Sequence, residues 1–158
     1  MKILIATDGS EFSQQAIEKA CDMLAGGGNL IEIISVFEEA AYTGTEPYGV
    51  PVEYIREIER IGREQAIKFA SEAEDTVRRR FPNSTVQITT KVIKGSPARA
   101  IVEEARDWGA DLIVTGSHGY GFWGRSFLGS VSDKVVHQAE CSVLVVREKT
   151  EITVGANN

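Results

Sequence analysis

Short apolar runs alternate with longer amphipathic segments along the chain. The runs at residues 3–6 (ILIA) and 111–117 (DLIVTGS) are nearly continuous, which predicts strands buried on both faces of a sheet. Residues 30–37 (LIEIISVF) and 142–148 (SVLVVRE) predict two further strands. The run at 86–95 (VQITTKVIKG) alternates between apolar and polar residues, so it predicts a strand with one wetter face or a place at the sheet edge.

Four amphipathic segments between these runs predict helices. The third has the clearest signals, because Ser96 suits an N-cap, Pro97 the first helical position and Gly109 the position just past the end. The other three predicted helices run from an N-cap at Ser10 to the glycines at 26–28, over residues 52–81 up to Pro82, and onward from Ser130.

Strands that alternate with helices predict an α/β fold with a parallel sheet, helices on both faces and right-handed crossovers. We expect one domain over residues 1–148 and a flexible polar tail over 149–158. The polar segment at 38–51 is longer than most connections and is expected to be a functional or mobile loop. Ligands of such folds bind at the carboxyl ends of the strands, so the loops at that edge are candidates for a site.

Composition removes several classes of protein. The chain has 23 acidic and 17 basic residues, and its net charge of -6 disfavours binding to nucleic acid or to an anionic membrane surface. Cys21 and Cys141 lie far apart without metal-ligand spacing, so we expect free thiols, no disulfide and no zinc. The apolar run near the N-terminus is too short for a signal peptide or a membrane span, which predicts a cytoplasmic protein.

The segment 114–136 (VTGSHGYGFWGRSFLGSVSDKVV) places five glycines between a predicted strand and a predicted helix. Glycine allows backbone N–H groups to approach a ligand closely and to take positive φ, and the first turn of a helix presents unpaired N–H donors. The segment therefore predicts an anion site. Arg125 would add a guanidinium group, and hydroxyl donors would come from Ser117, Ser126, Ser130 and Ser132.

Two common phosphate motifs do not fit this segment. A Walker A motif needs a lysine before Ser130, and none is there. Residues 119–124 (GYGFWG) match the dinucleotide pattern GxGxxG, but they begin four residues after the predicted strand ends at Thr115, and no helix signal follows until Ser130. The sequence thus excludes a P-loop and disfavours a dinucleotide loop.

The spacing of the loop does resemble a known family. Gly116-Ser117-His118-Gly119, nine further residues and Gly129-Ser130 resemble the GxxG-(nine residues)-G[ST] nucleotide motif of the ATP-binding branch of the universal stress proteins. The likeness extends to ILIATDGS at the start and to LGSVSDKVVHQAECSVLVV near the end. It implies a Rossmann-like fold with a five-stranded parallel sheet of order 3-2-1-4-5, and a homodimer formed through the last strand.

The resemblance also implies a ligand, which is ATP or another adenine nucleotide. It implies that Ala6, Thr7 and Asp8 line the nucleotide, that Val36 contacts adenine, and that ribose and phosphates are held by Gly116, Gly119, Gly129, Ser130 and Val131. The implied strand order would let Asp8 face Gly116. A bare carboxylate would repel a polyphosphate unless it accepts ribose hydroxyls or binds a divalent cation, and Asp8 is the metal ligand to expect for Mg²⁺ at the phosphates. His118 is expected to be a loop donor and not a catalytic base.

Three functions remain open from the sequence. The first is a nucleotide-binding regulatory module of the stress response. The second is a slow ATPase or phosphotransferase, in which Asp8 organises a metal or water and Arg125 stabilises charge. The third is a dimeric interaction protein with a vestigial pocket, since the apolar strand VLVV would be a liability at an open sheet edge.

Overall fold

The computed structural model describes residues 1–23, 28–39, 51–82, 86–119 and 128–147. Within these residues, strands and helices alternate along the chain as predicted. They are β1 (Lys2–Ala6), α1 (Glu11–Met23), β2 (Leu30–Phe37), α2 (Val52–Arg80), β3 (Gln87–Lys94), α3 (Pro97–Trp108), β4 (Leu112–Gly116), α4 (Ser130–Gln138) and β5 (Ser142–Val146). The strands form one parallel sheet in the order β3-β2-β1-β4-β5, which confirms the predicted fold class and strand order.

The central strands are buried on both faces, as their continuous apolar runs predict. Ile3 and Ile5 of β1 belong to one hydrophobic cluster, and Leu4 between them belongs to the other, because successive side chains of a strand point to opposite faces. β3 lies at one edge of the sheet, and its residues are mostly exposed or half-buried. The alternating pattern at residues 86–95 therefore reflects an edge strand.

Two helices cover each face of the sheet. α1 and α2 pack on one face through Ile17 and small residues such as Ala16 and Ala73. α3 and α4 pack on the other face, where Ile101 and Val135 are buried. Small residues let the helices approach the sheet closely. Because all the strands are parallel, each helix that follows a strand begins at the carboxyl edge.

The predicted helix signals are mostly confirmed. Ser10 Oγ accepts a hydrogen bond from the Ser13 N–H at 3.3 Å, which is the geometry of an N-cap. Gly109 ends α3 with φ of 72°, in the left-handed region that favours glycine. Ser96 has the extended φ of an N-cap, but its hydroxyl makes no capping hydrogen bond in the described structure. The fixed φ of Pro97 is thus the stronger signal for the start of α3.

Several other expectations concern single residues or segments. Cys21 and Cys141 are free cysteines, and burial raises the pKa of both thiols. None of the described helices is long and apolar enough to cross a membrane. Most of the predicted 38–51 loop, at 40–50, and the predicted tail at 149–158 lie outside the described residues.

Candidate functional site

A cavity of about 530 Å³ opens at the carboxyl edge of the sheet, within the size range of small-molecule sites. It lies where β1 and β4 run side by side, with Ile5 paired to Val114. Most of the residues expected from the sequence line it together: Ala6, Thr7, Asp8, Val36, Gly116, His118, Gly119, Gly129, Ser130, Val131 and Ser132. Segments distant in sequence thus meet at one place, as the strand order requires.

One side of the cavity is apolar. Ile34 and Val36 line it from β2, and Pro97 and Ile101 line it from the first turns of α3. Of these, only Val36 was expected. Periodicity could have found the others, because Ile34 shares a strand face with Val36, and Ile101 follows Pro97 by one helical turn. Further lining residues that the sequence reasoning missed are Ser13, Glu38 and Thr115.

Asp8 is held by the turn that follows β1. Its Oδ1 accepts hydrogen bonds from the Ser10 N–H at 3.0 Å and from the Ser10 hydroxyl at 2.6 Å. Its Oδ2 lies against Gly119, where a Cβ would be only 2.5 Å away. The carboxylate is therefore directed at Gly119, and not at Gly116 as the strand order alone led us to expect, because the chain continues past the end of β4 before it turns towards β1.

Gly116 is needed for a different reason. A Cβ at this position would lie 2.7 Å from the carbonyl carbon of Phe12 and 2.8 Å from its oxygen. These are backbone atoms of the first turn of α1, which cannot move without displacing the helix. Gly116 therefore lines the cavity, but its missing side chain serves the close approach of α1 to β4.

Positive φ does not explain the described glycines of the loop, Gly116, Gly119 and Gly129. Among the described residues, positive φ occurs at Gly9, Gly28, Gly95 and Gly109 only. Gly129 has φ of -66°, and a Cβ there would lie 3.0 Å from the Ser117 oxygen and 3.2 Å from the His118 Cα. Close backbone approach is thus the reason for glycine at this point of the loop, and the expected positive φ is wrong for it.

The end of β4 is tied to the start of α4 by a small hydrogen-bond network. The Gly129 N–H donates to the Ser117 carbonyl at 2.7 Å. The Ser132 hydroxyl lies 2.9 Å from the same carbonyl and 3.0 Å from that of Gly129. The N–H groups of Ser130 and Val131, at the start of α4, have no acceptor within the helix and are available to an anion.

The two remaining serines of the described loop differ in access to the cavity. Ser117 is 1% exposed, does not line the cavity, and lies with its Oγ 3.0 Å from the His118 Nδ1. Ser130 is exposed and does line it. The His118 ring is also held against Phe12, with 5.3 Å between ring centroids. This arrangement orients the imidazole on the cavity wall, in keeping with the expectation of a loop donor.

The described residues fit a cation that arrives with a ligand. No group of three or more histidine, cysteine, aspartate or glutamate side chains within them could hold a metal ion. Asp8 Oδ2 offers one carboxylate oxygen at the cavity, since Oδ1 is engaged by Ser10. Mg²⁺ is commonly bound by one or two carboxylates together with phosphates and water, so this oxygen suits Mg²⁺ bound to a polyphosphate.

Two predicted donors, Arg125 and Ser126, lie outside the described residues. Around the cavity, Asp8 and Glu38 supply negative charge, and the N-terminus of α4 supplies the positive end of a helix dipole.

Comparison with known proteins gives a match over most of the chain. The model of the universal stress protein family matches residues 1–147. The chain is 33% identical over 149 residues to universal stress protein YxiE of Bacillus subtilis (strain 168), which covers 92% of this chain and 98% of YxiE.

Solved structures give the same fold. The structure of hypothetical protein MJ0577 matches with a TM-score of 0.76 at 25% identity, over 94% of this chain and 96% of that one. A universal stress protein family protein from Arabidopsis thaliana, crystallised with AMP bound, matches with a TM-score of 0.68 at 17% identity, over 99% and 97% of the two chains. These matches agree with the Rossmann-like α/β fold described above.

Proposed function

Because the chain belongs to the universal stress protein family, we propose that it is an ATP-binding member of that family and acts as a regulatory module of the stress response. The observation that carries the proposal is the cavity itself, which has an apolar wall on one side and the glycines and helix N-terminus of the β4–α4 connection on the other. The AMP bound to the Arabidopsis relative supports an adenine nucleotide as the ligand.

In this proposal the apolar wall receives the base. Ile34, Val36 and Ile101 present branched apolar surface, which suits contact with the faces of an adenine ring. The phosphates lie at the start of α4, against Gly129, Ser130 and Val131. One helix terminus contributes only about 0.3–1 kcal/mol per charge, whereas micromolar binding needs about 8 kcal/mol. Burial of the base and several N–H donors must therefore act together.

The charge of the Asp8 carboxylate affects the binding of a polyphosphate. Its Oδ2 faces the cavity beside Gly119, where it would repel phosphate unless it binds Mg²⁺ or accepts a ribose hydroxyl. We propose the Mg²⁺ role. If it holds, ATP affinity should depend on Mg²⁺ in the wild type and lose most of that dependence in Asp8→Asn, measured by calorimetry with and without a chelator. An equal dependence in both proteins would leave the ribose contact as the role of Asp8.

The central test is nucleotide binding by a matched pair of glycine variants. A Cβ in Gly119→Ala would lie 2.5 Å from Asp8 Oδ2, so it should disturb the cavity. A Cβ in Gly62→Ala would only reach ordinary contact with the Phe37 side chain, 3.5 Å away, outside the cavity. We expect calorimetry with ATP, ADP and AMP to give binding in the wild type and in Gly62→Ala, and weaker binding in Gly119→Ala. Failure of the wild type to bind any of them would refute the proposal.

A homodimer through β5 is part of the proposal. β5 is the last strand of the sheet on its side, and its residues from Val143 to Val146 are only half-buried in the single chain. An apolar edge strand with unpaired backbone groups is stabilised by pairing with a second copy. Light scattering at micromolar concentration should give twice the mass of the chain, and a monomer would contradict this part of the proposal.

A slow ATPase or phosphotransferase remains the alternative function. Asp8 is the carboxylate placed to organise a metal-bound phosphate or a water molecule. Phosphate release that disappears in Asp8→Asn would favour the enzyme, and release that persists unchanged in that variant would count against it.

A further inference from the structure

Glu32 is a carboxyl group inside the sheet. It lies on β2 and is 8% exposed, and its Oε1 is buried without a hydrogen-bond donor among the described residues. Its Oε2 lies 3.5 Å from the Oγ1 of Thr89, which is a long contact. A buried carboxylate without donors is costly, so the surroundings of Glu32 must either supply a proton or supply a counter-charge.

The groups that face Glu32 supply too little positive charge for two ionised carboxylates. Glu104 of α3 lies beside it with a side chain only 10% exposed. Among the described residues, Lys91 of β3 is the ammonium group of this cluster, and its Nζ lies 2.5 Å from Glu104 Oε2. Asp107 adds a further negative charge near Lys91. Burial, and then the neighbouring Glu104 carboxyl, raise the pKa of Glu32, while Lys91 and Thr89 oppose that change.

The pair of acids lies directly behind the cavity wall. Glu32, Ile34 and Val36 share one face of β2, and Ile34 and Val36 line the cavity. On α3, Ile101 lines the cavity and Glu104 follows one turn later. The two acids thus lie on β2 and α3, the same elements that form the apolar wall, and they are further from the cavity opening than the wall residues.

We propose that Glu32 and Glu104 share one proton, and that the resulting carboxyl–carboxylate hydrogen bond ties α3 to β2 and holds the cavity wall in place. The shared proton lets Oε1 of Glu32 take part in a hydrogen bond. It also leaves the two carboxyl groups with one negative charge in total, which Lys91 balances. When the proton is lost, two adjacent buried carboxylates repel each other and α3 loosens from the sheet. The effect on nucleotide binding rests on the function proposed above, whereas the shared proton does not.

The direction of the pH effect follows from the pKa of Glu32. Its folded-state pKa is above its ordinary value of 4.5, so the folded chain holds this proton more tightly than the unfolded chain does. The contribution to stability is complete below the ordinary pKa and is lost as the pH rises through the raised folded-state pKa. The tie between α3 and β2 is therefore strong in acid and weak in base.

The first test measures the melting temperature from about pH 5 to about pH 8 without nucleotide. Glu32→Gln carries a permanent amide donor of the same shape, so we expect it to equal the wild type near pH 5 and to melt about 2–4 °C higher near pH 8. Glu103→Gln, on the half-exposed face of the same helix, is the control and should follow the wild type across the range.

Two results would overturn the shared proton. One is a difference between Glu32→Gln and the wild type that does not change with pH. The other is a wild-type infrared spectrum near pH 5 in which Glu104→Gln does not diminish the carboxylic acid band. The infrared measurement decides the question even if Glu32→Gln does not fold, because it compares the wild type with a variant of the other partner.

The second test measures ATP affinity of the wild type and Glu32→Gln at each pH. The titration of ATP itself cancels in the ratio of the two affinities. We expect this ratio to rise in favour of Glu32→Gln by about fivefold or more between acid and base. A constant ratio, with the melting result as expected, would overturn the link to the cavity. If neither protein binds ATP, the proposed function fails, and the shared proton is judged by the melting and infrared results alone.

Discussion

The two edges of the sheet use their polar groups in opposite ways. At the amino edge, the Lys2 N–H donates to Asp111 Oδ2 at 2.7 Å, and the Asp111 N–H donates to the Lys2 carbonyl at 2.8 Å. The Lys2 Nζ donates to the Trp108 carbonyl at 2.8 Å and lies 5.5 Å from the centre of its ring. Polar groups of this edge are thus paired with each other, which closes the edge.

At the carboxyl edge, the N–H groups at the start of α4 have no acceptor within the helix. Glycines replace side chains where the backbone comes closest, and the cavity lies between the ends of β1 and β4 and the start of α4. The difference follows from the topology, because each strand of a parallel sheet that is followed by a helix places the N-terminal N–H groups of that helix at the carboxyl edge. The comparison predicts that changes at the amino edge affect stability alone, and that changes at the carboxyl edge affect stability or binding according to what the residue touches.

The largest effect is expected at Gly116. In Gly116→Ala the new Cβ would lie 2.7 Å from backbone of Phe12, so α1 must move away from β4. Overpacking of this kind costs about 1–3 kcal/mol or more, and the free energy of unfolding measured with urea should fall by that amount.

Gly62→Ala is the control for that prediction. Its Cβ meets the Phe37 side chain at an ordinary 3.5 Å, and alanine is favoured over glycine inside a helix such as α2 by about 0.5–1 kcal/mol. We expect this variant to be more stable than the wild type. Equal losses in both variants would mean that the close approach of α1 to β4 is not what requires glycine at position 116.

Gly129 separates binding from stability at the same edge. A Cβ there would press on the Ser117 carbonyl at 3.0 Å and on His118, which shifts the start of α4 by a few tenths of an ångström. We expect the ATP affinity of Gly129→Ala to fall about tenfold, equivalent to about 1.4 kcal/mol, in calorimetry. Unchanged affinity would show that the phosphates do not approach this point.

Ser132 tests whether the loop is held internally. Its buried hydroxyl contacts the carbonyls of Ser117 and Gly129, so Ser132→Ala should lower the free energy of unfolding by about 1 kcal/mol. Because the hydroxyl is used within the loop, ATP affinity should fall much less than in Gly129→Ala. A loss of affinity without a loss of stability would instead assign this hydroxyl to the ligand.

The smallest effect is expected at the amino edge. Asp111→Asn weakens an exposed hydrogen bond to the Lys2 N–H, and we expect a loss of about 0.5 kcal/mol in chemical unfolding. ATP affinity should equal that of the wild type, because the residue is at the opposite end of the strands from the cavity. Altered affinity would show that the two edges are coupled.

Much of the fold could be predicted from local pattern. The continuous apolar runs of β1 and β4 identify buried central strands, because apolar residues on both sides of a strand require cover on both faces. Pro97 and Gly109 mark the ends of α3, since each has a backbone preference of its own. The spacing from Gly116 to Ser130 and the family resemblance together indicate the residues that line the cavity.

The reasons behind individual residues could not be predicted in the same way. The sequence predicts that Gly116 is a ligand-binding glycine, yet glycine is needed there because a Cβ would clash with the backbone of Phe12. Glu32 stands in an apolar strand without any sign of a partner, and its neighbours Lys91 and Glu104 come from β3 and α3. Both facts depend on which segments pack together, and local pattern does not contain that information.

The sequence by itself determined the order of strands and helices, the buried faces and the membership of the glycine loop in a family, because periodicity, caps and motif spacing are properties of neighbouring residues. Only the tertiary structure decided that Asp8 is directed at Gly119, that the Ser132 hydroxyl is used within the loop, and that Glu32 is buried on the strand behind the cavity wall. These features are contacts between distant segments, and their energies depend on distance and burial, which exist only once the sheet and its helices have assembled.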